Sequence, residues 1–397
     1  MKIIRRIFIA FFQVGIQVGI LVGISSCGST STSDFFEVEE AARKPSVDNQ
    51  LDFDRNWRVD LGSPIDEGDA VLNPVLSGSH IYAASTNGRI EKIEAETGRR
   101  VWRTDLDDTT ISAGVSIGSG LLLAGTDQGV VYAINVDDGS INWQTTLTSE
   151  ILAPPVVGDA MVVARSIDGK VYGLEPFDGE IAWTISRQLP RLTVRGESKP
   201  LVVQGIVITG FPDGTLAAVE ESNGRALWDF PISFAQGNNE IDRLSDIDTT
   251  PLLVGNYVYV SSYQEITHAL NIPEQRIEWS ADVSSIHSFA FDAAHLYISD
   301  KEGEVHQLDR ASGDIVWSQD GLRLRRTSAP ISVGPHVLVG DGDNILYAMS
   351  KEDGSYVGRY NLGAKAIVGE PIVEGDVIYF MDSDGALQSV TVESENG

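Results

Sequence analysis

Short apolar stretches separated by glycine-containing turns recur along most of the chain. Residues 258–260 (Val-Tyr-Val) follow a turn at Gly255, and residues 377–379 (Val-Ile-Tyr) follow a turn at Gly375. Runs this short, rich in β-branched and aromatic residues and bounded by turn residues, indicate strands. No long stretch keeps the 3.6-residue spacing of an amphipathic helix. The pattern therefore predicts an all-β protein.

Seven tryptophans mark an internal repeat with a period of about 41 residues. They are Trp57, Trp102, Trp143, Trp183, Trp228, Trp279 and Trp317. Five of them follow a glycine by four positions, and these glycines are Gly98, Gly139, Gly179, Gly224 and Gly313. A proline-led strand and an Asp-Gly or Asn-Gly hairpin precede the tryptophan, which gives four short strands per unit. Such units are typical of the blades of a β-propeller.

Counting the units gives eight blades. The seventh unit has Gly358 at the tryptophan position, and the eighth begins at Pro371 and lacks its last strand when the chain ends. The strand around Trp57 supplies the missing one, which would close the ring and remove an exposed strand edge. We therefore predict an eight-bladed β-propeller of four-stranded blades over residues 51–397, closed by the N-terminal strand.

The N-terminus has the pattern of a secretory signal peptide. A basic start precedes an apolar run over residues 7–23. The alternative interpretation is a membrane-spanning helix, but the run is shorter than the ~20 residues that such a helix needs. Residues 24–27 (Ile-Ser-Ser-Cys) resemble the lipobox of bacterial lipoproteins. That resemblance implies cleavage after residue 26, acylation of Cys27 and, because Gly28 follows rather than Asp, delivery to the outer membrane. A buried structural cysteine is the alternative.

Three segments follow from this pattern. Residues 1–26 are the predicted signal peptide, residues 27–50 the lipidated cysteine and a flexible tether, and residues 51–397 the propeller. The tether is rich in serine and threonine and then acidic, a composition typical of mobile linkers.

The net charge and the cysteine content exclude several classes of partner and of binding site. Asp and Glu number 57 against 29 Lys and Arg, a formal net charge of −28. Nucleic acids and anionic lipid surfaces repel such a body, so we expect no nucleic-acid partner and membrane attachment through the lipid anchor only. One cysteine cannot form an internal disulfide or a thiolate zinc cluster.

The Gly-x-x-x-Trp repeats resemble the tryptophan-docking motif of the quinoprotein-dehydrogenase-like propellers, in which the indole packs between neighbouring blades. This resemblance makes a quinone-dependent dehydrogenase or another ligand-binding propeller the competing function. Asp341-Gly-Asp343 and Asp382-Ser-Asp384 could suggest calcium, but they lie at predicted hairpin turns, which favour Asp and Gly for backbone reasons. The six histidines lack zinc-site spacing. We expect no catalytic residue, metal or cofactor.

Two connections between blades are longer than the repeat requires. The excess falls at residues 186–199 and 231–250, after the tryptophan strand of one blade and before the proline-led strand of the next. Connections of this type emerge on one face, and these two come from adjacent joints. Insertions into repeats often gather on the binding face, although tolerated surface insertions remain the alternative.

These two connections resemble the paired loops of the BamB family, the lipoprotein propellers of the outer-membrane β-barrel assembly machinery. Residues 192–200 read Leu-Thr-Val-Arg-Gly-Glu-Ser-Lys-Pro, and residues 243–251 read Arg-Leu-Ser-Asp-Ile-Asp-Thr-Thr-Pro. In that family the loops face the periplasmic domains of BamA. The partner-binding residues implied by the resemblance are Leu192, Val194, Arg195, Asp246 and Asp248.

The residue types at these five positions suit contact with a partner protein. Leu192 and Val194 alternate with a polar residue, which suits an extended segment that has one apolar edge. Arg195 can bind a carboxylate through two hydrogen bonds. Asp246 and Asp248 are expected either to bind a basic partner or to pair with Arg195 and shape the loops.

The resemblance implies a non-enzymatic scaffold, lipid-anchored at the periplasmic face of the outer membrane of a Gram-negative bacterium. It would dock on BamA and support the folding and insertion of β-barrel proteins. It would do so by orienting the soluble domains of BamA or by offering strand edges to a second candidate partner, unfolded outer-membrane proteins.

Overall fold

The computed structural model describes residues 40–65, 72–190, 198–233, 247, 249–262, 266–285, 287–363 and 366–394. Ala41–Gly397 form one compact unit, and of the preceding unit, Met1–Glu40, only Glu40 is described. The regular structure within the described ranges is β-strand, arranged in eight four-stranded sheets. No helix among these residues is long and apolar enough to cross a membrane.

Each sheet is one antiparallel blade, and we name its strands A to D in their order across the sheet. The first strand of the chain, β1 (Leu51–Asp60), belongs to blade 8. Blades 1 and 2 contain β2 (Val75–Ser77), β3 (His80–Ala84), β4 (Arg89–Glu94), β5 (Arg100–Asp105), β6 (Ile111–Gly118), β7 (Leu121–Thr126), β8 (Val130–Asn135) and β9 (Ile141–Thr146). Blades 3 and 4 contain β10 (Val156–Val157), β11 (Val162–Ser166), β12 (Lys170–Leu174), β13 (Ile181–Ser186), β14 (Leu201–Val203), β15 (Ile206–Gly210), β16 (Thr215–Glu220) and β17 (Ala226–Pro231).

Blades 5 to 8 repeat this arrangement. Blades 5 and 6 contain β18 (Leu252–Val254), β19 (Tyr257–Ser262), β20 (Ile266–Asn271), β21 (Arg276–Ala281), β22 (Ala290–Phe291), β23 (His295–Ser299), β24 (Val305–Asp309) and β25 (Ile315–Gln319). Blades 7 and 8 contain β26 (Ile331–Val333), β27 (His336–Gly340), β28 (Ile345–Ser350), β29 (Tyr356–Asn361), β30 (Ile367–Glu374), β31 (Val377–Asp382) and β32 (Ala386–Ser394). β1 pairs with β32 as the D strand of blade 8. The predicted eight-bladed propeller, closed by its N-terminal strand, is confirmed.

Eight buried apolar layers hold the ring together, one at each joint between neighbouring blades. At the joint that closes the ring, Tyr379 and Leu387 of blade 8 pack with Ile81 and Ile93 of blade 1. Alternating strand residues face the two sides of a sheet, so each blade gives one face to each neighbour. Burial of this apolar surface is the main stabilising contribution of the fold.

A β-bulge lies immediately before the tryptophan position in every blade. In blade 3, Gly173 faces Trp183 and Leu174 faces Ile181, so Ala182 is the extra residue. The same interruption occurs in the C–D pair of the other seven blades, including blade 8 and the Gly358 position of blade 7. A bulge bends the strand and re-aims the next side chain. Here it turns the indole towards the following blade.

Six indoles donate a hydrogen bond from Nε1 to a backbone carbonyl of the next blade, over 2.8–3.1 Å. Trp183, for example, donates to the carbonyl of Glu221 over 2.8 Å. The C–D turn of the next blade supplies a glycine under each of these rings. Gly224, with φ of +70°, lies so close that a Cβ would come within 2.8 Å of Trp183. The indole packing implied by the family resemblance is confirmed.

Two joints depart from this arrangement. Between blades 4 and 5, Gln275 (φ +49°) occupies the turn position that is glycine elsewhere. Between blades 7 and 8 there is no C–D turn on which a tryptophan could dock, because β32 and β1 come from opposite ends of the chain. Gly358 replaces the tryptophan there, and Leu51 and Phe53 of β1 fill the space. Phe53 stacks on Tyr360 with ring centroids 5.3 Å apart.

Residues 42–50 form an N-terminal strap along blade 7. Arg325 Nη1 donates to the carbonyl of Ala42 over 3.0 Å, and Lys44 pairs with Asp343 over 3.1 Å. Further along, the N–H of Gln50 donates to the carbonyl of Val357, over 2.8 Å. The predicted flexible tether, residues 27–50, overlaps this strap. Residues 42–50 of the predicted tether are therefore bound to the ring, and residues 27–39 lie outside the described residues.

Candidate partner-binding face

The B–C turns and the connections from each D strand to the next A strand lie on one face, which we call the loop face. The A–B and C–D turns lie on the opposite face, the turn face. In blades 1 to 4, 7 and 8, a hydrogen bond joins the end of the D strand to the B–C turn of the same blade, for example Arg187 N to Gly169 O over 3.0 Å and Ile232 N to Gly214 O over 2.9 Å. Both long connections therefore leave their blades on the loop face, as predicted.

The described ends of the two long connections contact each other. Ser198 Oγ donates to the carbonyl of Thr249 over 3.1 Å, and Lys199 N donates to Thr250 Oγ1 over 3.4 Å. Ser198 and Thr249 are buried, with 0% and 2% of their surface exposed. Arg165 of blade 3 also donates to the Ser198 carbonyl, over 3.3 Å. The two connections thus end at one fixed place beside the channel.

The first connection is also fixed where it begins. The guanidinium of Arg187 lies 5.0 Å from the centre of the Phe211 ring and forms an ion pair with Asp229, so it bridges blades 3 and 4. Leu189 packs over Gly169 of the B–C turn. The connection therefore starts and ends on rigid parts of the scaffold.

The five predicted partner-binding residues, Leu192, Val194, Arg195, Asp246 and Asp248, lie outside the described residues, as does Cys27. The structure does describe Ile247, between the two aspartates. Its side chain is 1% exposed and packs in the apolar layer between blades 4 and 5, against Gly210. Ile247 therefore anchors the second connection to this joint.

The A strands and the residues before them surround a central channel with a cavity of about 320 Å³, to which all eight blades contribute. Its ionisable lining residues are Lys199, His287 and Glu370. Burial lowers the pKa of Lys199, and the Glu370 carboxylate partly offsets this effect. Burial also lowers the pKa of His287, which favours its neutral form. Among the described lining residues, the channel thus has one acidic side chain, Glu370, and two basic side chains, Lys199 and His287, whose charged forms burial disfavours.

A local irregularity directs Glu370 into the channel. The pairing of β30 with β31 is interrupted between Val368 and Ile372. Ser288 donates to the Glu370 carboxylate, and Asn73 Oδ1 accepts the Glu370 N–H over 2.8 Å. Sequence reasoning missed this residue, and the only available signal was the Gly-Glu-Pro sequence that interrupts the strand at residues 369–371.

The connection from blade 8 to blade 1, residues 61–74, was also missed, although it is as long as that from blade 3 to blade 4, residues 187–200. The signal was the spacing from Trp57 to Trp102, which equals the spacing from Trp183 to Trp228.

The two Asp-rich turns that could suggest calcium are paired with arginines. Arg325 contacts Asp341 over 2.9 Å and Asp343 over 2.6 Å. Arg58 contacts Asp382 over 3.1 Å. The other carboxylate oxygen of Asp341 and of Asp382 accepts backbone N–H groups of its own turn. These contacts agree with the structural interpretation of both turns.

Comparison with known proteins identifies the family. A family model described as outer membrane protein assembly factor BamB matches residues 54–113 and 86–319. The chain belongs to the BamB family. BamB of Escherichia coli K12 is 35% identical over 385 residues, which cover 94% of this chain and 98% of that protein. The predicted resemblance to BamB is confirmed.

Solved structures agree with this assignment. BamB from Moraxella catarrhalis superposes with a TM-score of 0.78 at 25% identity, covering 85% of this chain and 99% of that one. A quinohemoprotein alcohol dehydrogenase from Comamonas testosteroni gives a TM-score of 0.66 at 12% identity, covering 86% of this chain and 76% of that one. The second likeness shows the propeller fold alone. The BamB relatives are named assembly factors of the outer membrane, not enzymes.

Proposed function

We propose that this chain is a non-enzymatic scaffold lipoprotein of the outer-membrane protein assembly complex, which docks through its loop face on the periplasmic domains of BamA. Membership of the BamB family supports the general role in assembly. The observation that carries the choice of face is the contact between the described ends of the two long connections, Ser198 with Thr249 and Lys199 with Thr250.

A rigid base suits this task. Loops that are fixed at both ends lose less conformational entropy when they bind, so more of the contact energy appears as affinity. Leu192 and Val194 would supply apolar contact, and Arg195, Asp246 and Asp248 would supply charge complementarity. The scaffold would then orient the periplasmic domains of BamA while β-barrel proteins fold and insert.

Co-purification with BamA from native membranes tests the face. Arg195→Glu and Asp246→Lys each reverse one charge on the two loops, and each should lower the recovery of BamA several-fold because like charges oppose docking. Asp107→Lys is the matched control, an exposed residue in the short connection between blades 1 and 2 on the same face. Full recovery with both loop variants, in correctly folded protein, would reject the proposed face.

Acylation of Cys27 is the proposed anchor. Two or more acyl chains are needed for stable membrane attachment, because each buried CH₂ contributes only about 0.8 kcal/mol. Cys27→Ser should therefore shift the protein from the membrane pellet to the soluble fraction after cell lysis. A variant that remains in the pellet would contradict lipid anchoring at this position.

The competing function, a quinone-dependent or ligand-binding propeller, has a direct test. Purified protein can be assayed for bound quinone and calcium and for dehydrogenase activity. Stoichiometric quinone with activity would overturn the scaffold proposal.

A further inference from the structure

The B–C hairpin of blade 6 brings together three side chains of metal-ligand type. One ligand atom each from Asp300, Glu304 and His306 lies within 4.8 Å of the others. Carboxylate oxygens and an imidazole nitrogen are ligands that suit Zn²⁺ and similar divalent ions. We propose that these three residues bind a divalent transition-metal ion of the zinc class on the loop face.

His306 is held so that one ring nitrogen faces the carboxylates. Only 6% of its surface is exposed. Its Nδ1 lies 2.8 Å from Ser318 Oγ, and its Nε2 lies 3.3 Å from Asp300 Oδ2. When Ser318 accepts the Nδ1 proton, Nε2 presents a lone pair to the Asp300 oxygen. A cation bound between His306 Nε2 and Asp300 Oδ2 would replace the repulsion of their lone pairs with two coordination bonds. The hydrogen bond to Ser318 fixes the orientation of the imidazole ring, as the outer-shell partners of metal-bound histidines do.

Asp300 is fixed in the same manner. Its Oδ1 accepts the N–H groups of Glu302 and Glu304, over 2.9 and 2.8 Å, which leaves Oδ2 directed towards His306. Asp341 and Asp382 occupy this turn position in blades 7 and 8, and both direct Oδ2 to an arginine. In blade 6 the equivalent oxygen, Asp300 Oδ2, faces His306 Nε2, which is a potential metal ligand.

Arg323 is one of the basic residues near this cluster, as is Lys301, which follows Asp300 in the same turn. Its Nε lies 3.7 Å from Glu304, and its Nη2 lies 3.4 Å from Glu302. These contacts are long for ion pairs, and the arginine is 34% exposed, so solvent screens them. Coordination of a cation by Glu304 would replace its 3.7 Å contact with Arg323.

Blade 5 supplies an internal control. His268 Nδ1 lies 2.8 Å from Ser280 Oγ, which repeats the His306–Ser318 pair. The positions equivalent to Asp300 and Glu304 are Ser262 and Ile266. Blades 5 and 6 therefore share the histidine–serine pair, and of these two blades only blade 6 combines it with the two carboxylates.

The test is titration of the tag-free full-length protein in detergent with Zn²⁺ against a chromogenic competitor, followed by Co²⁺ absorption as a report of coordination. We expect one Zn²⁺ per chain. Asp300→Asn combined with Glu304→Gln should weaken binding by at least about 100-fold, since even outer-shell partners are worth 10–100-fold. His268→Ala should leave the affinity unchanged.

Two outcomes would overturn the proposal. One is no stoichiometric binding by the wild-type protein, which would indicate that His306 and Asp300 simply form an ion pair. The other is binding that survives the double substitution or is lost in His268→Ala. Arg323→Gln is a further variant for which the opposite change in Zn²⁺ affinity is expected. Removing the positive charge beside Glu304 should strengthen Zn²⁺ binding.

Discussion

The two faces of the ring are built for different tasks. On the turn face, six C–D turns are each clamped by the tryptophan of the preceding blade, through a hydrogen bond of 2.8–3.1 Å and a glycine beneath the ring. On the loop face, hydrogen bonds hold the described ends of several connections between blades, and the connections range from one that spans residues 106–110 to one that spans residues 232–251.

This difference explains where the chain can acquire binding sites. A C–D turn cannot change its length or its glycine without displacing an indole, so the turn face has little freedom. A connection on the loop face can lengthen while the hydrogen bonds at its ends remain. The proposed partner-binding loops and the proposed metal site both lie on the loop face. Substitutions on the turn face should therefore affect stability, and those on the loop face binding.

The largest expected effect is that of Trp183→Ala on the turn face. The side chain is 9% exposed and fills the joint between blades 3 and 4, so its removal should lower the free energy of unfolding by about 3–5 kcal/mol. Chemical denaturation of the purified protein measures this change. Phe177→Ala, at a side chain 92% exposed in the same blade, should change the value by less than about 0.5 kcal/mol. Similar losses of unfolding free energy in both variants would show that the Trp183 indole does not stabilise the joint.

A smaller loss is expected from Gly224→Ala. The new methyl group would sit at φ +70° and 2.8 Å from Trp183, so both backbone strain and a displaced indole contribute. The free energy of unfolding should fall by about 2 kcal/mol. Gly205→Ala is the control, because its φ of +75° is similar but no atom lies within 4 Å of the added Cβ. Equal losses would mean that the indole contact contributes nothing.

The smallest effect, and one of opposite sign, is expected at the joint between blades 4 and 5. Gln275→Gly should raise the free energy of unfolding by roughly 0.5 kcal/mol, since relief of the strained φ outweighs the extra chain entropy of glycine. Differential scanning calorimetry of the two proteins side by side can detect the shift. A loss of stability would show that the Gln275 side chain makes a contact that glycine cannot replace.

Much of the fold was predictable because the decisive signals are local. Asp-Gly turns, short β-branched strands and the tryptophan spacing are repeated in each unit, and counting units was enough to assign β1 to blade 8. The bulge before each tryptophan was not predictable. The extra residue is Asn56, Val101, Asn142, Ala182, Leu227, Glu278, Val316 or Val357, and this mixture has no common chemistry.

Features that join distant parts of the chain were harder to predict. The strap depends on Arg325, 283 residues after Ala42, so composition alone assigned its residues to the tether. The meeting of Ser198 with Thr249 depends on the placement of two blades around the channel. The Asp300, Glu304 and His306 cluster depends on side-chain geometry within one hairpin, and its spacing matches no familiar metal motif.

We propose that the loop face, and not the turn face, contacts BamA. Photo-crosslinking in native membranes tests it directly, with a photoreactive residue placed either at Val194 in the connection after blade 3 or at Phe177 in the C–D turn of the same blade. We expect a crosslink to BamA from position 194 and none from position 177. A crosslink from position 177 without one from position 194 would contradict it.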